Sequence, residues 1–169
     1  NIPVVIGVPF DLQKKSTSNQ TRTGPKITVT SSKHNACPDP MLLKDAARLI
    51  GNADHPIIIA GLGTVTANAK DACVALAEKS GALLATTLPA KGLFHDQPYS
   101  IGVAGGYATE KSKAIFAQSD LVIGIGTRLA SHTFDGGQLT PNAKVIHLDI
   151  NPKSFVQGRT KAQAQRPAS

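Results

Sequence analysis

Long apolar runs, paired cysteines and aromatic side chains are all scarce in this chain of 169 residues. No apolar stretch approaches the roughly 18 residues that a membrane span needs, so no transmembrane segment is expected. The opening Asn1-Ile2-Pro3-Val4 lacks the positive n-region of a secretory signal. The two cysteines, Cys37 and Cys73, stand too far apart to form a metal-ligand spacing. Cys73 falls instead in the stripe Ala69, Ala72, Cys73, Leu76, Ala77, which is helical core spacing. A chain of this length can build a core without disulfide staples, and a reducing cytoplasm is the expected compartment.

Aromatics make up only 4% of the chain, while the formal charge is +7. Placement decides what that charge means. Residues 1–36 set Lys14, Lys15, Arg22, Lys26 and Lys33 against Asp11, and residues 152–169 hold Lys153, Arg159, Lys161 and Arg166 with no acid. The stretch between them, 37–151, is close to neutral at −1. Nucleic-acid binders concentrate their bases on an ordered face among aromatic or polar readers. Here the excess lies in linker-like flanks as solvated charge, and no nucleic-acid partner is expected.

Ile2-Pro3-Val4-Val5-Ile6-Gly7-Val8 has the β-branched composition of a strand buried on both faces. The polar stretch Lys14 to Pro38 that follows exceeds the roughly 12–15 residues of a loop inside a compact domain and reads as an interdomain linker. The opening strand is therefore expected to be the last strand of a preceding domain.

From Pro40 onward strands and helices alternate. Met41 to Ala53 puts Leu42, Leu43, Ala46, Ala47 and Ile50 on one helical face. Ile57 to Ala60 is a buried strand, and Thr66 to Lys79 is a helix closed by Gly81. Leu83 to Ala85 is the next strand, and Thr109 to Ser119 is a helix with Ser112, Ile115, Phe116 and Ser119 inward. Leu121 to Ile125 and Val145 to Leu148 are further strands. Each strand is apolar throughout, which predicts an α/β fold with a parallel sheet covered by helices on both faces.

Ligands of such sheets sit outside the carboxyl ends of the strands. Glycines collect there: Gly61 and Gly63 after one strand, Gly126 after another, and Gly102, Gly105 and Gly106 in the loop between. They permit either a phosphate cradle or tight strand-to-helix turns with no ligand at all. The nicotinamide fingerprint fails, because position 66 is Thr and no ribose-binding acid stands where Thr86-Thr87 end the next strand. His132 and Asp135 could form an acid–base pair, but with no nucleophile beside them in sequence a polar loop pair is the expected reading. His147 reads as a hydrogen-bonded core histidine, Lys91 as a contact to phosphate or to a neighbouring domain or as an exposed loop lysine, and Glu78 and Glu110 as helix-surface residues.

Ala85 to Gly106, ATTLPAKGLFHDQPYSIGVAGG, and the GIGTRLASHTFDGG and HLDINP segments between Ile123 and Pro152 resemble the central domain of thiamine-diphosphate-dependent enzymes of the acetolactate synthase and oxalyl-CoA decarboxylase type. The resemblance implies a parallel Rossmann-like layer of about six strands that holds FAD or ADP in some members and nothing in others. It implies that Gly61-Leu62-Gly63, Thr87-Leu88, Gly105 and Gly126 line the ligand, with Arg128 toward its phosphates and Asp149-Ile150 near ribose and adenine. Gly106-Tyr107 stands where acetolactate synthases carry Met-His, and Ala130 and His132 where they place an acid and an arginine, so an adenine nucleotide or an empty pocket is expected ahead of FAD.

Val4 to Leu12 is similar to the end of a pyrimidine-binding domain. The expected layout is thus a remnant at 1–12, a linker at 13–38, the central domain at 39–157 and the start of a further linker at 158–169. No Gly-Asp-Gly segment and no activating glutamate occur, so thiamine diphosphate and magnesium are expected on pyrimidine- and pyrophosphate-binding domains of a homo-oligomeric parent lyase or transferase acting on 2-oxo acids. The fragment would not be catalytic alone. The other reading is a free-standing adenine-nucleotide-binding module, as in sirtuin-like or electron-transfer flavoprotein domains. A Gly-Asp-Gly segment encoded beyond Ser169 would separate the two.

Overall fold

The structure is a computed structural model and describes Gly7, residues 37–151, Ser154 and Phe155. The chain divides into two units, 1–35 and 36–169. The opening strand apart from Gly7, the linker up to residue 36 and the stretch 158–169 lie outside the described residues.

Five strands pair in parallel in the order β3-β2-β1-β4-β5. They are β1 (Pro56–Ala60), β2 (Leu83–Thr86), β3 (Ser100–Val103), β4 (Leu121–Ile125) and β5 (Lys144–Leu148). About six were expected, and five stand among the described residues. The α-helices are α1 (Pro40–Gly51), α2 (Leu62–Thr66), α3 (Lys70–Ser80) and α4 (Glu110–Ala117).

The alternation of side chains along β1 sorts the core onto two faces. Ile57 and Ile59 join Ala85, Val122 and Phe116 of α4 on one face. Ile58 and Ala60 join Leu84, Ile123, Phe94 and Cys73 and Ala77 of α3 on the other. Helices thus cover both faces, as continuous apolar strands require. Each large apolar side chain so buried contributes about 1.5–3 kcal/mol relative to exposure. Cys73 is among them, and burial pushes its thiol pKa up, which keeps it an inert thiol.

Four local expectations change. The face of α1 built on Leu42 and Leu43 is exposed, at 57% and 48%, and contact with the sheet passes to Leu49, Ile50 and Ala53. The helix is held at its start, where the Asp39 side chain accepts the Met41 N–H at 2.8 Å with Pro40 in the first turn. The helix expected from Thr66 to Lys79 begins only at Lys70, as α3; Thr66 ends the separate short helix α2, and Asn68 between them has a φ of 51°, which no helix interior adopts. In α4, Ser112 and Phe116 face inward as expected, whereas Ile115 is 37% exposed. Gly102 lies within strand β3 with φ at +83°, not in a loop.

The crossover from β4 to β5 carries no α-helix. Two short 3₁₀ turns, Ser131–Thr133 and Asp135–Gly137, span it instead. Leu129, Phe134, Leu139 and Ala143 of this segment complete the core face that α4 begins. Gly124 permits this, because a Cβ there would lie 2.6 Å from Leu129 Cδ1.

At the amino ends of the strands, Asp120 clamps the approach to β1. Its carboxylate accepts the backbone N–H of Asp54 at 2.8 Å and of His55 at 2.9 Å. Burial pushes its pKa upward, but those two N–H groups outweigh the effect and hold it below the ordinary value. A depressed carboxylate stabilises the fold fully above its unfolded pKa of about 3.9, and loses that contribution as pH falls through the folded value. Asp120→Asn should therefore cost about 1–2 kcal/mol at neutral pH, a figure kept low because the carboxylate is partly open to water. Urea midpoints at pH 7 and pH 3.5 test this; a cost that does not shrink at the lower pH would show that the charge plays no part.

Candidate functional site

Every residue expected to line a ligand lies at the carboxyl end of a strand. Gly61 and Gly63 follow β1, Thr87 and Leu88 follow β2, Gly105 follows β3, Gly126 and Arg128 follow β4, and Asp149 and Ile150 follow β5. The order β3-β2-β1-β4-β5 places the topological switch between β1 and β4. The Gly61-Leu62-Gly63 and Gly126-Thr127-Arg128 turns meet at that switch.

The two turns are in backbone contact. Gly61 N–H donates to Ile125 O at 2.9 Å, Gly63 N–H to Gly126 O at 2.8 Å, and Thr64 Oγ1 to Ile125 O at 2.7 Å. A Cβ on Gly63 would lie 2.7 Å from Gly126 Cα, and one on Gly126 would strike the backbone of Gly63 and Thr64. These glycines are therefore required by close approach of one turn to the other. The Gly61 and Gly63 N–H groups are spent inside the protein and do not form a phosphate cradle. Gly105, at φ +89°, is packed in the same way against the backbone of His132. Thr64 was missed in the sequence; nothing in its composition signals a buried hydroxyl aimed at a strand 61 residues away.

The groups able to meet a ligand are side chains. Arg128 is exposed and forms no ion pair among the described residues. Asp149 is half-buried, and its Oδ1 accepts the Asn151 N–H at 2.7 Å, which leaves the second oxygen to accept from elsewhere. Thr87 is buried and donates its N–H to Ala60 O at 2.8 Å, while Leu88 and Ile150 are exposed apolar side chains at 47% and 93%. The Gly61 and Gly63 N–H groups are not free to recognise a ligand, and Arg128 and Asp149 are the charged side chains that the turns after β4 and β5 carry.

Lys91 is exposed. His132 and Asp135 are both exposed with no hydrogen bond between them among the described residues, so they form no acid–base pair. His147 is hydrogen-bonded within the fold, its Nε2 lying 2.6 Å from Thr127 O. Among the described residues no group of three His, Cys, Asp or Glu side chains could hold a metal ion, and no helix is long and apolar enough to cross a membrane. Two hollows of about 280 and 200 Å³ lie at the opposite, amino-terminal edge, beside Asp54 and His55 and beside Asp120 and Lys144.

A five-stranded parallel sheet with helices on both faces and a switch in strand order between β1 and β4 defines a Rossmann-like α/β domain. Residues 43–165 match the family described as thiamine pyrophosphate enzyme, central domain, and the chain belongs to that family. It is similar to the "Probable acetolactate synthase large subunit" of Methanocaldococcus jannaschii, 33% identical over 153 residues, which is 89% of this chain and 26% of that protein. The "Acetolactate synthase large subunit" of Corynebacterium glutamicum is 32% identical over 152 residues, covering 89% and 24% of the two chains. The "Acetolactate synthase" of Mycobacterium bovis is 33% identical over 159 residues, covering 92% and 25%. The chain spans about a quarter of the length of the curated relatives it matches.

Proposed function

We propose that this chain is the central domain of a thiamine-diphosphate-dependent lyase or carboligase of the acetolactate synthase type. Its role is structural, and it binds an adenine nucleotide, ADP or the ADP portion of FAD, along the carboxyl edge of its sheet. The observation that carries this reading is that Arg128 and Asp149 stand on the turns that follow the adjacent strands β4 and β5, on the edge where the Gly61 and Gly126 turns meet. Arg128 would counter phosphate charge by charge-assisted hydrogen bonds, and the free oxygen of Asp149 would accept from a ribose hydroxyl. The glycine turns set the spacing of these side chains and make no phosphate contact themselves.

Thiamine diphosphate and magnesium belong, on this reading, to further domains of a longer, oligomeric protein, because the sequence holds no Gly-Asp-Gly segment and no metal-holding cluster stands among the described residues. Both cysteines are free thiols, as a reducing cytoplasm would keep them. The chain alone performs no 2-oxo acid chemistry. Calorimetric titration of the chain with ADP, FAD and thiamine diphosphate tests these statements together. Heat is expected with ADP and none with thiamine diphosphate, and Arg128→Ala should weaken ADP by about 1.5–3 kcal/mol, roughly one to two decades. Absence of heat with ADP and FAD would leave a purely structural role, and ADP affinity indifferent to Arg128→Ala would remove the site.

A further inference from the structure

Arg128 is exposed, yet the turn that carries it is pinned from several sides. Gly126 N–H donates to Leu148 O at 2.8 Å, Gly126 O accepts the Gly63 N–H at 2.8 Å, and Thr127 Oγ1 accepts the Leu129 N–H at 3.2 Å. The next carbonyl of the turn, Thr127 O, is met by a side chain from the neighbouring strand. His147 of β5 brings its Nε2 to 2.6 Å from that oxygen. A carbonyl oxygen only accepts, so Nε2 carries the proton and the neutral ring is the Nε2–H tautomer. Phe155 meets the imidazole edge-on, with ring centroids 4.9 Å apart and planes at 75°, which fixes the plane of the ring.

The contact joins residues 20 apart in the chain, so local turn chemistry does not supply it. A histidine inside an apolar strand could be there only to satisfy itself. Its partner argues otherwise: the oxygen it holds belongs to the peptide group that links Thr127 to Arg128, and that group's orientation fixes where the Arg128 Cα points its side chain. A cation held on an immobile backbone loses less freedom when it closes on an anion.

We infer that His147 is a positioning residue for anion recognition at the carboxyl edge, acting through its Nε2–H bond to Thr127 O on the peptide that presents Arg128. The anion class is a nucleoside diphosphate, so the binding arm of the test rests on the nucleotide reading above, whereas the spectroscopic arm does not.

The experiment uses the chain uniformly labelled with ¹⁵N. Long-range ¹H–¹⁵N spectra of wild type should show His147 as the Nε2–H tautomer. His147→Leu should displace the amide resonances of Thr127, Arg128 and Leu129, and His147→Gln, which keeps an N–H at similar reach, should restore them. With ADP as the titrant, His147→Leu should lower affinity about tenfold, the worth of one ordinary hydrogen bond, and His147→Gln should recover most of it. In an Arg128→Ala background His147→Leu should cost nothing further. An Nδ1–H tautomer, undisturbed turn amides in His147→Leu, or a full tenfold loss persisting without Arg128 would each overturn the inference. If wild type binds no ADP the nucleotide reading alone fails, and the tautomer and amide shifts decide the positioning role. Should His147→Leu not fold, the amide shifts of His147→Gln and the wild-type tautomer decide it in the same way.

Discussion

Gly126→Ala is expected to destabilise the domain by about 3 kcal/mol or more. An L-residue at φ +57° costs about 1–2 kcal/mol by itself. The new methyl group would also lie 2.7 Å from Gly63 Cα, a backbone atom that cannot swing aside. Relief requires the Gly61–Gly63 turn to move off Gly126, which breaks the 2.8 Å bond from Gly63 N–H. For a chain of this size that loss corresponds to a fall in Tm of about 10 °C. Gly51→Ala is the control, because no atom stands within 4 Å of a Cβ there and it ends helix α1. That change should be neutral or stabilise by up to about 1 kcal/mol. Thermal unfolding followed by circular dichroism separates the two; near-equal Tm values for the glycine variants would show that the turns are not in contact.

Phe116→Ala should be the other severe change, at about 3–5 kcal/mol. Phe116 is fully buried and belongs to α4, the one α-helix among the described residues on its face of the sheet. The rest of that face is closed by the irregular segment bearing Leu129, Phe134 and Leu139, which has few regular hydrogen bonds of its own with which to resist a void. The neighbouring Ile115 is 37% exposed, and Ile115→Ala should cost below about 1 kcal/mol. Urea unfolding with an unchanged m-value gives both numbers. The reverse ranking would mean that α4 is rotated about its axis from the orientation described.

Much of this fold is legible in the sequence where burial is complete. Ile57-Ile58-Ile59-Ala60 and Leu121 to Ile125 are apolar on both faces, and nothing but a central parallel strand reads that way. β3 was missed because Ser100-Ile101-Gly102-Val103 is an edge strand, only partly buried, with a register shift against β2 and a glycine in its middle. The helix expected from Thr66 starts too early, because the stripe that supports it begins only at Ala69, past Asn68, a residue type that tolerates left-handed backbone. Along α4 and just past its end the expected phase holds for Ser112, Phe116 and Ser119, which are buried, and Ile115 alone falls at the open margin of that face. The site was legible as a set of strand ends, since glycines after apolar runs mark such turns. Whether those glycines cradle a ligand or each other depends on Gly63 meeting Gly126, a contact between distant residues that no local pattern carries.

The centre of the sheet has a consequence for how the chain acquires its shape. β1 is flanked by β2 and β4, and its pairing with β4 joins Pro56 to Leu121 across more than sixty intervening residues. The Asp54–Asp120 clamp, 66 residues apart, locks the same junction. Sequence-local contacts therefore leave one side of Ile57–Ala60 open until late, and closing so long a loop is entropically slow. During synthesis the most apolar strand of the domain waits as an unpaired edge for the length of α2, α3 and α4. The pairing of Leu121–Ile125 with β1 is thus the long loop closure of this fold, and the same pairing brings Gly63 against Gly126 and assembles the carboxyl edge.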